Sequence, residues 1–270
     1  MGSVGTTQPT LLLVTGSFAL PRFYDPTLEL LPKHVDLVLP HLPTVGEDTD
    51  KGRPGPPPTM YDDANFIIEQ LQRLVVEQGK DVVLIAHSYG GVPATEALGL
   101  AKEKGLIKSD RESKGEKGGV IRVAYMTVLV PELGNAAATA LDGAPEEDKM
   151  HFGVDENGWM YHLDYPRMMR ICGSNMTEEE RKPWETKFPR HSAVSFSNEL
   201  HYEGWKHVPI SYLVCEDDKC IPAKTQRAEI EMFEKAGCKV DVTSIKEDHV
   251  LNVSAPQALA DWWTSLVEKA

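Results

Sequence analysis

The chain has 270 residues, 41% hydrophobic and 26% charged, with a formal net charge of −13, proportions that allow one sizeable core and exclude a disordered or collagen-like chain. So acidic a composition excludes nucleic acid and anionic membrane as the main partner, since both select basic surfaces, and leaves a small-molecule substrate as the expected ligand. No apolar run approaches the ~20 residues of a membrane span, and Cys172, Cys215, Cys220 and Cys238 lie far apart or at strand ends behind no signal peptide, the pattern expected of reduced thiols in a cytoplasmic protein.

Residues 1–6 formally fit a myristoylation pattern, but the expected reading is a flexible lead-in, because one acyl chain without a basic patch anchors poorly. Residues 11–15 and 35–39 are short β-type runs with a helical segment, 25–31, between them. Residues 52–58 are rich in Pro and Gly and read as a loop. Thr59-x-x-Asp62 then resembles a capping box opening an amphipathic helix through Phe66, Ile67, Leu71, Leu74 and Val75, which Gly79 ends. Val82, Val83, Leu84, Ile85 and Ala86 predict a parallel strand covered on both faces, and the small residues beyond them let the chain reverse at Ser88 into a helix running to about Lys104. Residues 108–119 are mostly charge and glycine and read as a solvated loop; residues 120–130 read as another buried strand.

The alternation of strand and helix stops over residues 131–208, a stretch too long for a simple connection. It reads as an inserted, mainly helical lid, and most of its large side chains, among them Phe152, Trp159, Trp184, Phe188, Phe196 and Trp205, are expected to form its own small core. Regular alternation then resumes with strand 210–215, helix 224–236, strand 240–245 and helix 257–268. The predicted fold class is α/β: a doubly wound, mostly parallel sheet built from residues 1–130 and 209–270 and interrupted once by the lid.

Ala86-x-Ser88-x-Gly90 sets small residues two positions to either side of a serine, as a tight strand–turn–helix elbow needs where larger side chains would collide. The same string suits an ordinary turn whose serine caps the helix, so the rest of the chain must decide. A serine hydroxyl is a poor nucleophile near neutral pH and requires a base within hydrogen-bond reach and an acid to orient that base. Glu216-Asp217-Asp218 follows one late strand and Glu247-Asp248-His249 follows the next, so each loop supplies one of the two residue types, in the order serine, acid, histidine. His87 is a rival base by adjacency, yet its side chain is expected to point away from the elbow. His41, His151, His191 and His207 have no matching partner and default to surface or loop roles. Cys215 and Cys220 lack a histidine-partnered zinc spacing, and neither a metal nor a cofactor is expected.

From Thr10 to Val267 the chain resembles the α/β-hydrolase superfamily, and within it the plant methylesterase and hydroxynitrile lyase group together with similar fungal hydrolases. Tyr212-Leu213-Val214-Cys215-Glu216-Asp217-Asp218-Lys219-Cys220-Ile221-Pro222 is similar to the segment that carries that group's catalytic aspartate. The resemblance selects Asp218, with Asp217 as the fallback, and Glu247-Asp248-His249 resembles the histidine loop. It also implies backbone oxyanion donors at Tyr89 and at Ser17, with Phe18 the alternative, although Thr15-Gly16 stands where the group usually has His-Gly. Hydroxynitrile lyases of the group carry threonine at the position of Gly16 and lysine at that of Val250. With neither present, cyanide expulsion lacks its electrostatic help. The expected activity is therefore hydrolysis of a small, mostly apolar carboxylic ester by Ser88, His249 and Asp218, with a non-hydrolytic enzyme or a ligand receptor on the same scaffold as the competing readings.

Overall fold

The computed structural model describes residues 8–140 and 146–269; the lead-in at 1–6 lies outside the described residues. Strand β1 (Thr10–Val14) is buried at every position, because four of its five residues are apolar and neighbours cover both faces. A one-turn helix α1 (Asp25–Leu28) leads to the edge strand β2 (Asp36–Val38), which is only partly buried. Helix α2 (Met60–Gln72) opens on the expected capping box, with the Thr59 side chain taking the Asp62 N–H and the Asp62 carboxylate taking the Thr59 N–H at 2.7 Å. Strand β3 (Asp81–His87) and helix α3 (Gly91–Glu103) flank Ser88.

The charged stretch expected to be a loop contains helix α4 (Lys108–Glu112). Two contacts fix it: Lys108 Nζ donates to Asp81 at 2.8 Å, and Arg111, mostly buried, donates through Nε and Nη2 to the Lys117 carbonyl. Strand β4 (Gly119–Met126) stops four residues short of the expected end, because Thr127 takes a positive φ of 41° that no strand accommodates.

Residues beyond β4 form helices α5 (Ala137–Ala140), α6 (Tyr165–Cys172) and α7 (Glu178–Arg181) together with strands β5 (Phe152–Val154), β6 (Trp159–His162) and β7 (His191–Ser192). The three strands pair antiparallel in the order β5-β6-β7, a small sheet absent from the mainly helical expectation. The chain then returns to the main sheet through β8 (Ile210–Cys215), α8 (Ala223–Lys235), β9 (Val240–Ile245), α9 (Leu251–Ser254) and α10 (Pro256–Glu268).

The main sheet is parallel throughout, in the order β2-β1-β3-β4-β8-β9. Reversal of strand order at β1 and β3 puts the carboxyl ends of those strands beside a crevice, the usual ligand site of an open α/β sheet. Leu11, Leu12, Leu13, Val82, Val83, Leu84 and Ile85 are completely buried; each such side chain contributes about 1.5–3 kcal/mol on burial. The loops after β3, β8 and β9 are thereby held on a rigid floor.

Candidate active site

Ser88 stands where β3 meets the turn into α3, with φ at 55°, a left-handed conformation rare for a residue with a side chain. Packing enforces the strain. A methyl group on Gly90 would stand 2.5 Å from the Thr15 carbonyl oxygen and 2.7 Å from that of Val14, so only glycine lets α3 start against the end of β1. A methyl on Gly16 would stand 2.9 Å from the Ser88 Cβ.

His249, in the loop after β9, meets Ser88 with Nε2 at 2.9 Å from Oγ, and its Nδ1 lies 2.8 Å from Asp218 Oδ2. These contacts fix the roles within the chain of bonds. Nδ1–H donates to the carboxylate, leaving the Nε2 lone pair to accept the serine hydroxyl proton. Asp218 is buried while Asp217 beside it is exposed, so of the adjacent acids only Asp218 faces inward. Its Oδ1 accepts the backbone N–H groups of Cys220 at 2.7 Å and Ile221 at 2.9 Å, and Oδ2 accepts the Thr127 hydroxyl as well as His249. Four donors therefore aim the carboxylate. Burial alone would lower the basicity of His249, but the Asp218 carboxylate beside it outweighs that effect and holds its pKa well above 6.5.

His87 takes no part in proton transfer from Ser88. Its Nε2–H donates to the His249 carbonyl at 2.9 Å and its Nδ1 accepts the Tyr24 hydroxyl at 2.6 Å, while burial and the neighbouring His249 charge push its pKa down to about 3. The histidine that is adjacent in sequence is a clamp on the loop of the histidine that is distant. His191, expected in a surface or loop role, is completely buried in β7, with Nε2 3.1 Å from Ser195 Oγ and its ring edge-on to Tyr89. The Tyr89 hydroxyl donates to Asp63 at 3.0 Å, so a buried polar network anchors the residue that follows the serine.

Gly16, Ser17 and Phe18 line the cavity above Ser88, and Phe18 takes a positive φ of 56° as its loop turns inward. Most of the remaining lining is apolar or thioether, with Tyr24, His87, His162, His249 and Asn252 as its polar members among the described residues. Phe152, Trp184, Phe188 and Phe196, four of the six large side chains named from residues 131–208, face the cavity together with Met168 and Met169, while Trp205 joins the hydrophobic core of the main sheet. That is more cavity contact than expected. Val250 also lines it, and no lysine, arginine, aspartate or glutamate does so among the described residues. Cys172, Cys215, Cys220 and Cys238 are free thiols, and no cluster of metal-ligating side chains is present among the described residues. No helix among them is long and apolar enough to cross a membrane.

Sequence reasoning missed Thr127, the Tyr24–His87 clamp and the backbone donors of Cys220 and Ile221. None carries a local signature. Thr127 follows an apolar strand in an unremarkable Met-Thr-Val string, and Tyr24 reaches His87 only through the fold.

Comparison with known proteins places this geometry in context. The model of the alpha/beta hydrolase family matches residues 11–262. A probable hydrolase of Phoma sp. is 31% identical over 257 residues, 94% of this chain and 96% of the relative. Methylesterase 1 of Arabidopsis thaliana is 26% identical over 219 residues, 74% of this chain and 75% of that protein. Among solved structures, a pyrethroid hydrolase from Sphingobium faniae superimposes with a TM-score of 0.72 at 19% identity, covering 96% of this chain and 97% of the other. With the family model spanning nearly the whole chain and the elbow, acid and histidine on the strand ends where that fold carries its site, the chain belongs to the alpha/beta hydrolase family.

Proposed function

We propose that the chain is a serine hydrolase that cleaves a small, mostly apolar carboxylic ester through an acyl-enzyme on Ser88. The observation that carries the reading is the unbroken run of hydrogen bonds from Ser88 through His249 to Asp218, at the base of a cavity lined by no lysine, arginine, aspartate or glutamate among the described residues. His249 takes the serine proton as Ser88 Oγ attacks the ester carbonyl, and Asp218 steadies the imidazolium that results. The developing oxyanion is held by the backbone N–H of Tyr89 and one from the Ser17-Phe18 turn; such a donor is worth about 3–4 kcal/mol in the transition state. His249 returns the proton to the departing alcohol, and water, activated in the same way, releases the acid. Residues 131–208 act as the lid whose aromatic and methionine side chains select the substrate.

The lining favours a neutral ester over a carboxylate-bearing substrate, because no lysine or arginine among the described residues is there to offset the desolvation of an anion. Gly16 and Val250 both line the cavity beside the reacting groups, which favours hydrolysis over cyanide expulsion. A panel of p-nitrophenyl esters of increasing acyl length tests the reading: Ser88→Ala and His249→Ala each lose at least ~10³-fold in kcat while keeping the wild-type melting temperature. Undiminished turnover in either variant contradicts it. Reaction of Ser88 with a fluorophosphonate in a protein that turns over no ester points to a non-hydrolytic reaction at the same residues.

A further inference from the structure

The polar side chains around the cavity are nearly all committed. Tyr24 gives its hydroxyl to His87, His87 uses both ring nitrogens, and His249 spans Ser88 and Asp218. Asn252 is tied by Nδ2 to the Phe23 carbonyl at 2.8 Å, although its Oδ1 is unpartnered. His162 is different. It lines the cavity, is 5% exposed, and its Nδ1 is buried with no hydrogen-bond partner among the described residues.

Its surroundings explain why none of the described residues answers it. The imidazole is boxed by rings, with centroids 4.4 Å from Phe18, 5.0 Å from Phe152, 5.7 Å from Tyr165 and 6.0 Å from Phe188. Leaving a buried polar group unpaired costs about 1–3 kcal/mol, and a phenylalanine in this box would avoid that cost. The backbone holds the ring in place: His162 stands opposite Phe152 in the β5–β6 ladder, which the Leu163 N–H closes onto the His151 carbonyl at 2.9 Å. Burial pushes its pKa down to about 3, so the ring is neutral near pH 7 and offers one N–H and one lone pair.

We infer that His162 is a specificity-determining residue that hydrogen-bonds an uncharged oxygen of the substrate, a hydroxyl or carbonyl set apart from the ester by an apolar, ring-sized body. The location supplies the spacing. Phe18, on whose ring His162 packs, follows Ser17 in a turn that lines the same cavity as Ser88, so the imidazole faces that cavity at one ring's remove from the turn. A hydroxyl satisfies either tautomer of the ring, and a carboxylate finds no positive charge there. This inference rests on the ester hydrolase reading and names the substrate class within it.

The test compares kcat/KM for paired esters that differ only in a ring hydroxyl. One series is the methyl esters of benzoic, phenylacetic and 3-phenylpropanoic acids with and without meta or para hydroxyl, which places the body on the acyl side. The other is phenyl acetates with and without the same hydroxyls, which places it on the leaving-group side. Wild-type protein is expected to favour the hydroxylated member of at least one pair by 10-fold or more, since a site built to hydrogen-bond a substrate group discriminates strongly against its absence. His162→Phe collapses that ratio toward one, and His162→Asn or His162→Gln restores part of it. The ratio stays flat from pH 5 to 7, where His162 does not change charge and the probe phenols stay protonated. A merely structural histidine predicts the opposite pattern, equal loss on both members of each pair.

A wild-type ratio near one in every pair overturns the inference, as does a His162→Phe ratio equal to the wild-type value. Should His162→Phe fail to fold, the wild-type ratios together with His162→Asn and His162→Gln still decide. Esters turned over and Ser88 labelled by a fluorophosphonate, with no discrimination anywhere, sink this inference alone; failure of both labelling and turnover sinks the hydrolase reading and this inference with it.

Discussion

Ser88 is held at a φ of 55° by neighbours that leave it no alternative, and Asp218 is aimed by four donors at a histidine whose basicity it raises. Because His249 must be neutral to accept the serine proton, kcat/KM is expected to rise with pH through an inflection above 6.5. Asp218→Asn removes the charge that supports the imidazolium, so that inflection moves to lower pH while kcat falls by about 10²–10⁴-fold; a pH–rate profile unchanged in position contradicts the assigned pairing. Asp218 could be expected from sequence because a strand end offered three adjacent acids and the resemblance selected it among them. Thr127 and His162 could not, since the first acts through a hydroxyl that the turn after β4 brings to Asp218 and the second through what it lacks, a partner among the described residues.

The elements matter for how they bring separate loops together. Tyr24, just before α1, and His87, the last residue of β3, form a clamp that reaches the backbone of His249 after β9. Tyr24→Phe leaves His87 Nδ1 without its donor, and kcat is expected to drop about 10-fold, the worth of one hydrogen bond in a buried network, with little change in KM. Steady-state kinetics on any turned-over ester check this. Thr59→Ala, by contrast, removes a cap on α2 far from the chemistry and should cost about 1 kcal/mol in denaturant unfolding with kcat intact. At this scale the parallel core was readable, because buried strands such as β3 and β8 are short apolar runs followed by helical periodicity. Helix α4 and the β5-β6-β7 sheet were not: α4 depends on Lys108 and Arg111 finding partners outside the helix, and strands of two to four residues carry no periodicity.

At the level of the whole molecule, stability and activity are expected to respond to pH through different groups. Glu229 on α8 is completely enclosed by α8, β8 and the turn after β4, accepting the Val130 N–H at 2.8 Å and the Tyr212 hydroxyl at 2.6 Å, and burial pushes its pKa from 4.5 to about 8. Between those two values the folded state keeps a proton that the unfolded chain has released, so stability falls as pH rises across the window and levels off above about pH 8. Asp63, pushed up to about 7 by burial, acts in the same direction. Glu229→Gln should flatten the melting temperature between pH 5 and 9 and gain on the wild type toward the alkaline end; a wild type that grows more stable from pH 5 to 8 by this group contradicts the assignment. The proposed activity depends on one atom at the base of the cavity, Ser88 Oγ. The most direct test is intact-protein and peptide mass spectrometry after exposure to a fluorophosphonate, alongside ester turnover on the same samples. The account predicts one adduct, on the Ser88 peptide, appearing in step with loss of turnover and absent in Ser88→Ala; an adduct elsewhere, or full turnover by protein modified at Ser88, contradicts it.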